Sequence, residues 1–141
     1  MTITATAPTS APGTRPLALR VALAAALAVT GNLVLSQVLA AAVDADPEFI
    51  GLQAAPVAAA SVVGIVLGLA AYAVLCRVRR ERLFVPLVAI GALVSLGGPF
   101  NLLNATQAEQ PGVSDGAALS LIPLHLLVGL VAALVLPRGS R

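Results

Sequence analysis

His125 is the only histidine in the chain, and it lies in the middle of an apolar stretch. An imidazole at that depth can relay a proton, anchor a polar headgroup, or tie two helices together by a hydrogen bond. Asn32 sits at the centre of another apolar stretch. Ser36 shares its helical face one turn on, and Gln37 is one step round. Ser95 falls at mid-depth in a third, where its hydroxyl can bond a carbonyl of its own helix. His125 is about 13 Å from the end of its stretch, at 1.5 Å per residue. Asn32, Ser95 and His125 thus come from three stretches at comparable depth and are expected to meet as a polar layer. Pro123 frees the carbonyl of Leu119 as a further acceptor near the histidine.

What is missing narrows the chemistry further. All six acids (Asp44, Asp46, Glu48, Glu81, Glu109 and Asp115) lie in polar breaks or at stretch ends. A proton-coupled exporter built on an embedded acid is therefore disfavoured. One histidine cannot supply paired haem ligands within one chain. One cysteine, Cys76, cannot form a dithiol, and it reads as a small apolar residue, with a lipidated or redox-active thiol as the alternative. Nothing has metal-ligand spacing. Ser95 with His125 resembles a nucleophile and its base only in residue type, since no nucleophile motif surrounds the serine. No metal, no cofactor and no enzymatic activity is expected.

The elements that position these residues follow from composition. The chain is 141 residues, 59% hydrophobic and 10% charged. Soluble domains are about half apolar and a quarter charged, so this is a membrane composition. A span needs about 20 apolar residues, so four spans use nearly all the length. They are expected at about residues 21–43, 54–76, 83–103 and 116–136. Residues 1–16 are expected to be a disordered tail, 17–137 a four-span domain and 138–141 a basic tail. A cleaved signal peptide is the rival reading of the first span. That span is longer than a usual signal core of about 7–15 residues.

The charges orient the spans. Arg15, Arg20, Arg77, Arg79, Arg80, Arg82, Arg138 and Arg141 all fall on one side of the alternation, and the two other breaks hold acids and no base. Arginine-rich loops stay inside, so both termini are expected to be cytoplasmic in a bacterial inner membrane. Arg77, Arg79, Arg80 and Arg82 are expected to meet anionic lipid headgroups rather than nucleic acid. The short loop they form makes spans two and three an antiparallel hairpin. Phe49 and Phe100 near the outer boundary, with Tyr72 and Phe84 near the inner one, form a thin aromatic belt.

Two local patterns bear on packing. Ala60, Gly64 and Gly68 recur every fourth position in span two, a stripe where another backbone can approach closely. The expected occupant is span one or three, with a homodimer seam as the alternative. Gly97-Gly98-Pro99 should kink or unwind span three. With Asn101 and Asn104 it would form a mouth at the outer end. Ser114 or Asp115 should cap span four, and Pro123 should kink it.

This layout resembles a family of small four-span bacterial membrane proteins known only as a domain of unknown function. The resemblance rests on Gly31-Asn32, on Ser95-Leu96-Gly97-Gly98-Pro99, and on Leu124-His125-Leu126-Leu127-Val128-Gly129. It covers residues 17–137 and implies the fold without an activity. The expectation is an all-α, four-helix transmembrane bundle with antiparallel neighbours. Its expected role is to bind a lipid or hydrophobic ligand, or to associate with a membrane-protein partner. A small transporter or channel subunit acting as a homo-oligomer is the alternative, and a lipid-modifying membrane enzyme the second.

Overall fold

The structure is a computed structural model that describes residues 14–137. Of the tail expected at residues 1–16, residues 1–13 lie outside the described residues, as does the basic tail expected at 138–141. Six α-helices run in the order α1 (Thr14–Ala42), α2 (Ala54–Arg77), α3 (Phe84–Ser95), α4 (Gly97–Leu102), α5 (Asp115–Leu119) and α6 (Leu121–Val135). Short 3-10 turns at Ile50–Leu52 and Glu81–Leu83 precede α2 and α3. No strand occurs among the described residues. α3 with α4, and α5 with α6, each continue as one interrupted helix. The fold is therefore all-α, with four antiparallel helical segments long and apolar enough to cross a membrane. α1 starts within the expected tail, because Pro16 falls in its first turn, where a missing N–H costs no bond.

Both interruptions have the same cause. Pro99 cannot donate to Ser95, and Pro123 cannot donate to Leu119. In each case the helix breaks one residue after the deprived carbonyl, at Leu96 (ψ −15) and at Ser120 (ψ −16). Leu96 N–H donates instead to Leu93 O at 3.2 Å, a tightened 3-10 bond. Gly97 and Gly98 do not unwind the chain. They open the short helix α4 beyond the break. Ser114 caps α5 by accepting from the Ala117 amide at 3.2 Å.

α6 is the hub of the bundle, for a geometric reason. Successive residues of a helix point about 100° apart, so three in a row address three directions. Leu127 meets Gly31 of α1, Val128 meets Gly64 of α2, and Gly129 meets Ala92 of α3. Each contact is close because one partner is glycine. The Gly64 and Gly68 stripe therefore receives the fourth segment, not the first or third, and Ala60 stays exposed. α1 turns Ala24, Ala28, Asn32 and Ser36, all buried at four-residue spacing, into the bundle. Ile65 of α2 joins Ala24 and Ala28 in the core at that end.

The two ends differ. At the arginine end, Arg77, Arg79, Arg80 and Arg82 are exposed. Arg20 donates from Nη1 to Leu136 O at 3.1 Å, which satisfies a carbonyl at the C-terminus of α6. Tyr72 and Phe84 pack edge to face there, centroids 5.0 Å apart. At the acidic end the two loops form a cap over a core of Phe49, Leu52, Val57, Val113, Ala117, Leu121 and Leu124. The aromatic residues thus mark the segment ends but do not form a lipid-facing belt. Phe49, Tyr72 and Phe84 are buried, and only Phe100 is exposed. With so few large side chains available, the aromatics are used to fill the core at each end.

One acid in the cap carries a pH prediction. The Thr106 backbone N–H donates to Glu109 Oε2 at 2.9 Å, and the Thr106 hydroxyl does the same. The backbone bond first, then the hydroxyl, holds the exposed Glu109 carboxyl below its ordinary 4.5. A lowered folded value contributes stability that is fully present above the unfolded value. That stability is lost as the pH falls through the folded one. Protection of the Thr106 amide from hydrogen exchange, relative to its intrinsic rate, is expected to hold above pH 4.5. It should fade in more acid solution, and Glu109→Gln should remove the dependence. Protection that ignores pH in the native chain would refute this.

Candidate hydrophobic cleft

α3 leans on α6 but stands away from α2 along most of its length. Gly129 lets Ala92 and Val88 close on α6, and the Tyr72–Phe84 contact holds the arginine end shut. Between these ties a cleft of about 680 Å³ opens, with α6 as its floor. Its α2 rim includes Ala60 and Leu67, and its α3 rim Leu87, Ile90 and Val94, all exposed. The cleft therefore opens sideways, where lipid would lie around a membrane-spanning chain. Gly91 lies on the α3 wall, and a Cβ built on it meets nothing within 4 Å.

Four polar side chains border this apolar space: Asn32, Ser61, Ser95 and His125. The three residues expected to form a polar layer all line one cleft, but none bonds another. Asn32 is 3% exposed. Its Nδ2 donates to Ser61 Oγ at 2.9 Å and to Leu124 O at 3.2 Å, so it links α1 to both α2 and α6. Asn32 Oδ1 is buried with no hydrogen-bond partner. Ser61 Oγ donates in turn to Val57 O at 2.7 Å. Ser95 is exposed and donates to Ala92 O at 2.7 Å, within its own helix. His125 is half-buried, with Nδ1 2.8 Å from Leu121 O rather than bonded to the carbonyl of Leu119. A carbonyl can only accept, so Nδ1 is a protonated nitrogen, and the tautomer protonated there leaves Nε2 a lone pair.

Along α3 the cleft lining ends at Ser95. Gly97, Gly98, Pro99, Asn101 and Asn104, expected as a mouth, lie beyond it. Pro99 is buried, and the two asparagines are exposed at the acidic end. Asn32's bond to Ser61 is not visible in the linear sequence, where Ser61 counts only as another small residue beside the glycine stripe. The α1 stripe Ala24, Ala28, Asn32, Ser36 has a readable signal, small residues at every fourth position. Gly91 and Gly129, which shape the cleft, have none beyond being glycines in apolar stretches. No protein-family model, curated protein or solved structure matches the chain.

Proposed function

We propose that this chain is an integral membrane protein that binds a lipid or other hydrophobic ligand in the cleft between α2 and α3. One observation carries the reading. The cleft is apolar along its walls, opens sideways, and has at its floor the His125 imidazole, whose Nε2 makes no hydrogen bond within the protein. Covering an acceptor with apolar groups and leaving it unpaired costs about 1–3 kcal/mol, so the site suits a hydrophobic ligand that also pairs with this nitrogen. The arginines at one end and acids at the other support a bacterial inner membrane, with both termini cytoplasmic. Arg77, Arg79, Arg80 and Arg82, exposed at that end, suit anionic headgroups at about 1 kcal/mol each.

Native mass spectrometry of the protein, extracted gently from its own membrane, tests the reading. Wild type is expected to carry a co-purifying lipid or hydrophobic molecule. Gly91→Leu puts a side chain into open space, so it should fill the cleft without a clash. It should also gain about 1 kcal/mol of helix propensity, so lost ligand would not reflect lost stability. Occupancy should fall about tenfold, the equivalent of about 1.4 kcal/mol. A bare wild-type protein, or equal occupancy in Gly91→Leu, would remove the basis for a ligand cleft.

A further inference from the structure

The donors and acceptors of the cleft do not balance, and the imbalance names a ligand class. Both N–H groups of Asn32 are committed, one to Ser61 Oγ and one to Leu124 O. The Ser61 hydroxyl proton is committed to Val57 O, and that of Ser95 to Ala92 O. The His125 Nδ1 proton is committed to Leu121 O. Every side-chain proton bordering the cleft thus points back into the protein. What the cleft offers a ligand are the lone pairs of His125 Nε2 and of Ser95 Oγ; Asn32 Oδ1 is also unpaired but lies fully buried beneath them. Asn32 and His125 sit at one depth, since the carbonyl that Asn32 holds belongs to Leu124, the residue before the histidine.

From this we infer that the ligand is a neutral lipid carrying a free hydroxyl, whose proton is donated to the acceptors at the cleft floor. The inference rests on the proposed hydrophobic cleft and adds its head-group preference. A long-chain or isoprenoid alcohol, or a diacylglycerol, has the required form. The chain lies along the apolar walls of α2 and α3, and the O–H donates to His125 Nε2. A carboxylate or phosphate brings only acceptors and negative charge to a floor made of lone pairs, and no arginine borders the cleft to receive it. A methyl ether has the same chain and nearly the same shape as the alcohol but no proton to give.

The test compares hexadecanol, its methyl ether and hexadecanoic acid. Each is offered at equal concentration to the purified full chain in detergent, and the bound adducts are counted by native mass spectrometry. The alcohol is expected to bind about tenfold better than the ether, as one hydrogen bond made in a dry site allows. The acid should bind no better than the ether. In His125→Phe, with helical circular dichroism as in wild type, the preference for the alcohol should vanish. Equal binding of alcohol and ether to wild type overturns the hydroxyl inference and leaves the hydrophobic cleft standing, with water as the donor at the floor. Tightest binding of the acid also overturns it. An alcohol preference that survives in His125→Phe overturns the assignment of Nε2. Binding of none of the three defeats the cleft reading itself.

Discussion

Replacing Gly112 with alanine is expected to destabilise the fold by about 3 kcal/mol. Two independent costs add. Gly112 has φ +72, a left-handed conformation that costs a residue with a Cβ about 1–2 kcal/mol. A Cβ there would also lie 2.6 Å from the backbone nitrogen of Phe49, and backbone cannot rotate aside as a side chain can. Overpacking of that kind costs about 1–3 kcal/mol. The position joins the two acidic-end loops. Gln107 accepts from the Gly112 amide at 2.9 Å and donates to Val113 O, so its side-chain amide brackets the turn. Gly98→Ala is the control, because a Cβ there meets nothing within 4 Å. Reversible unfolding in mixed detergent should show a large loss for Gly112→Ala and none for Gly98→Ala. Equal behaviour of the two would mean that the loops are not locked at this point.

Gly64→Val is expected to cost a similar amount, about 3 kcal/mol, for a different reason. A Cβ at Gly64 would stand 2.6 Å from Val128 Cγ1. Valine on both sides leaves neither side chain free to turn, because β-branched residues hold one χ1 in a helix. α6 cannot simply retreat either. Leu127 and Gly129, on either side of Val128, pack so closely on Gly31 and Ala92 that a Cβ built on either glycine would stand only 3.0 or 3.1 Å from its neighbour. The cost should thus reach the upper end of the overpacking range, about 3 kcal/mol. The contrast with Gly91→Leu is informative, since both replace a glycine in an apolar helix with a larger residue. One lies at a seam within the chain and the other on the open cleft wall. Loss of stability in Gly64→Val with an unchanged oligomeric state would support the intrachain seam. A changed oligomeric state with unchanged subunit stability would point to a homodimer contact instead.

The sequence carried the segments well and their facing poorly. Long apolar stretches divided by charged breaks define four segments, and Pro99 and Pro123 locate the two interruptions. Each proline deprives one known carbonyl, so the breaks at Leu96 and Ser120 follow from position alone. Facing is another matter. Helices that are apolar all round have little contrast between lipid and core faces. The glycine stripe of α2 could be read, but not which helix fills it, because α6 presents apolar side chains in every direction. The polar layer was legible as residue types at similar depth. Its wiring was not, because Asn32 reaches Ser61 and a backbone carbonyl that has no sequence signature. The cleft itself was invisible, since it depends on α3 standing off α2. The aromatics were misleading, because Phe49, Tyr72 and Phe84 sit at segment ends yet point inward.

The central claim is that the cleft between α2 and α3, and not the general lipid-facing surface, holds the ligand. The most direct test is photolabelling in native-lipid vesicles with a long-chain alcohol that carries a diazirine, followed by peptide mapping. The label is expected to concentrate on the cleft rims at Leu67, Leu87, Ile90 and Val94 and to be displaced by excess hexadecanol. Label spread evenly over exposed positions outside the cleft, such as Val34, Val38 and Leu134, and not displaced by competitor, would contradict the account.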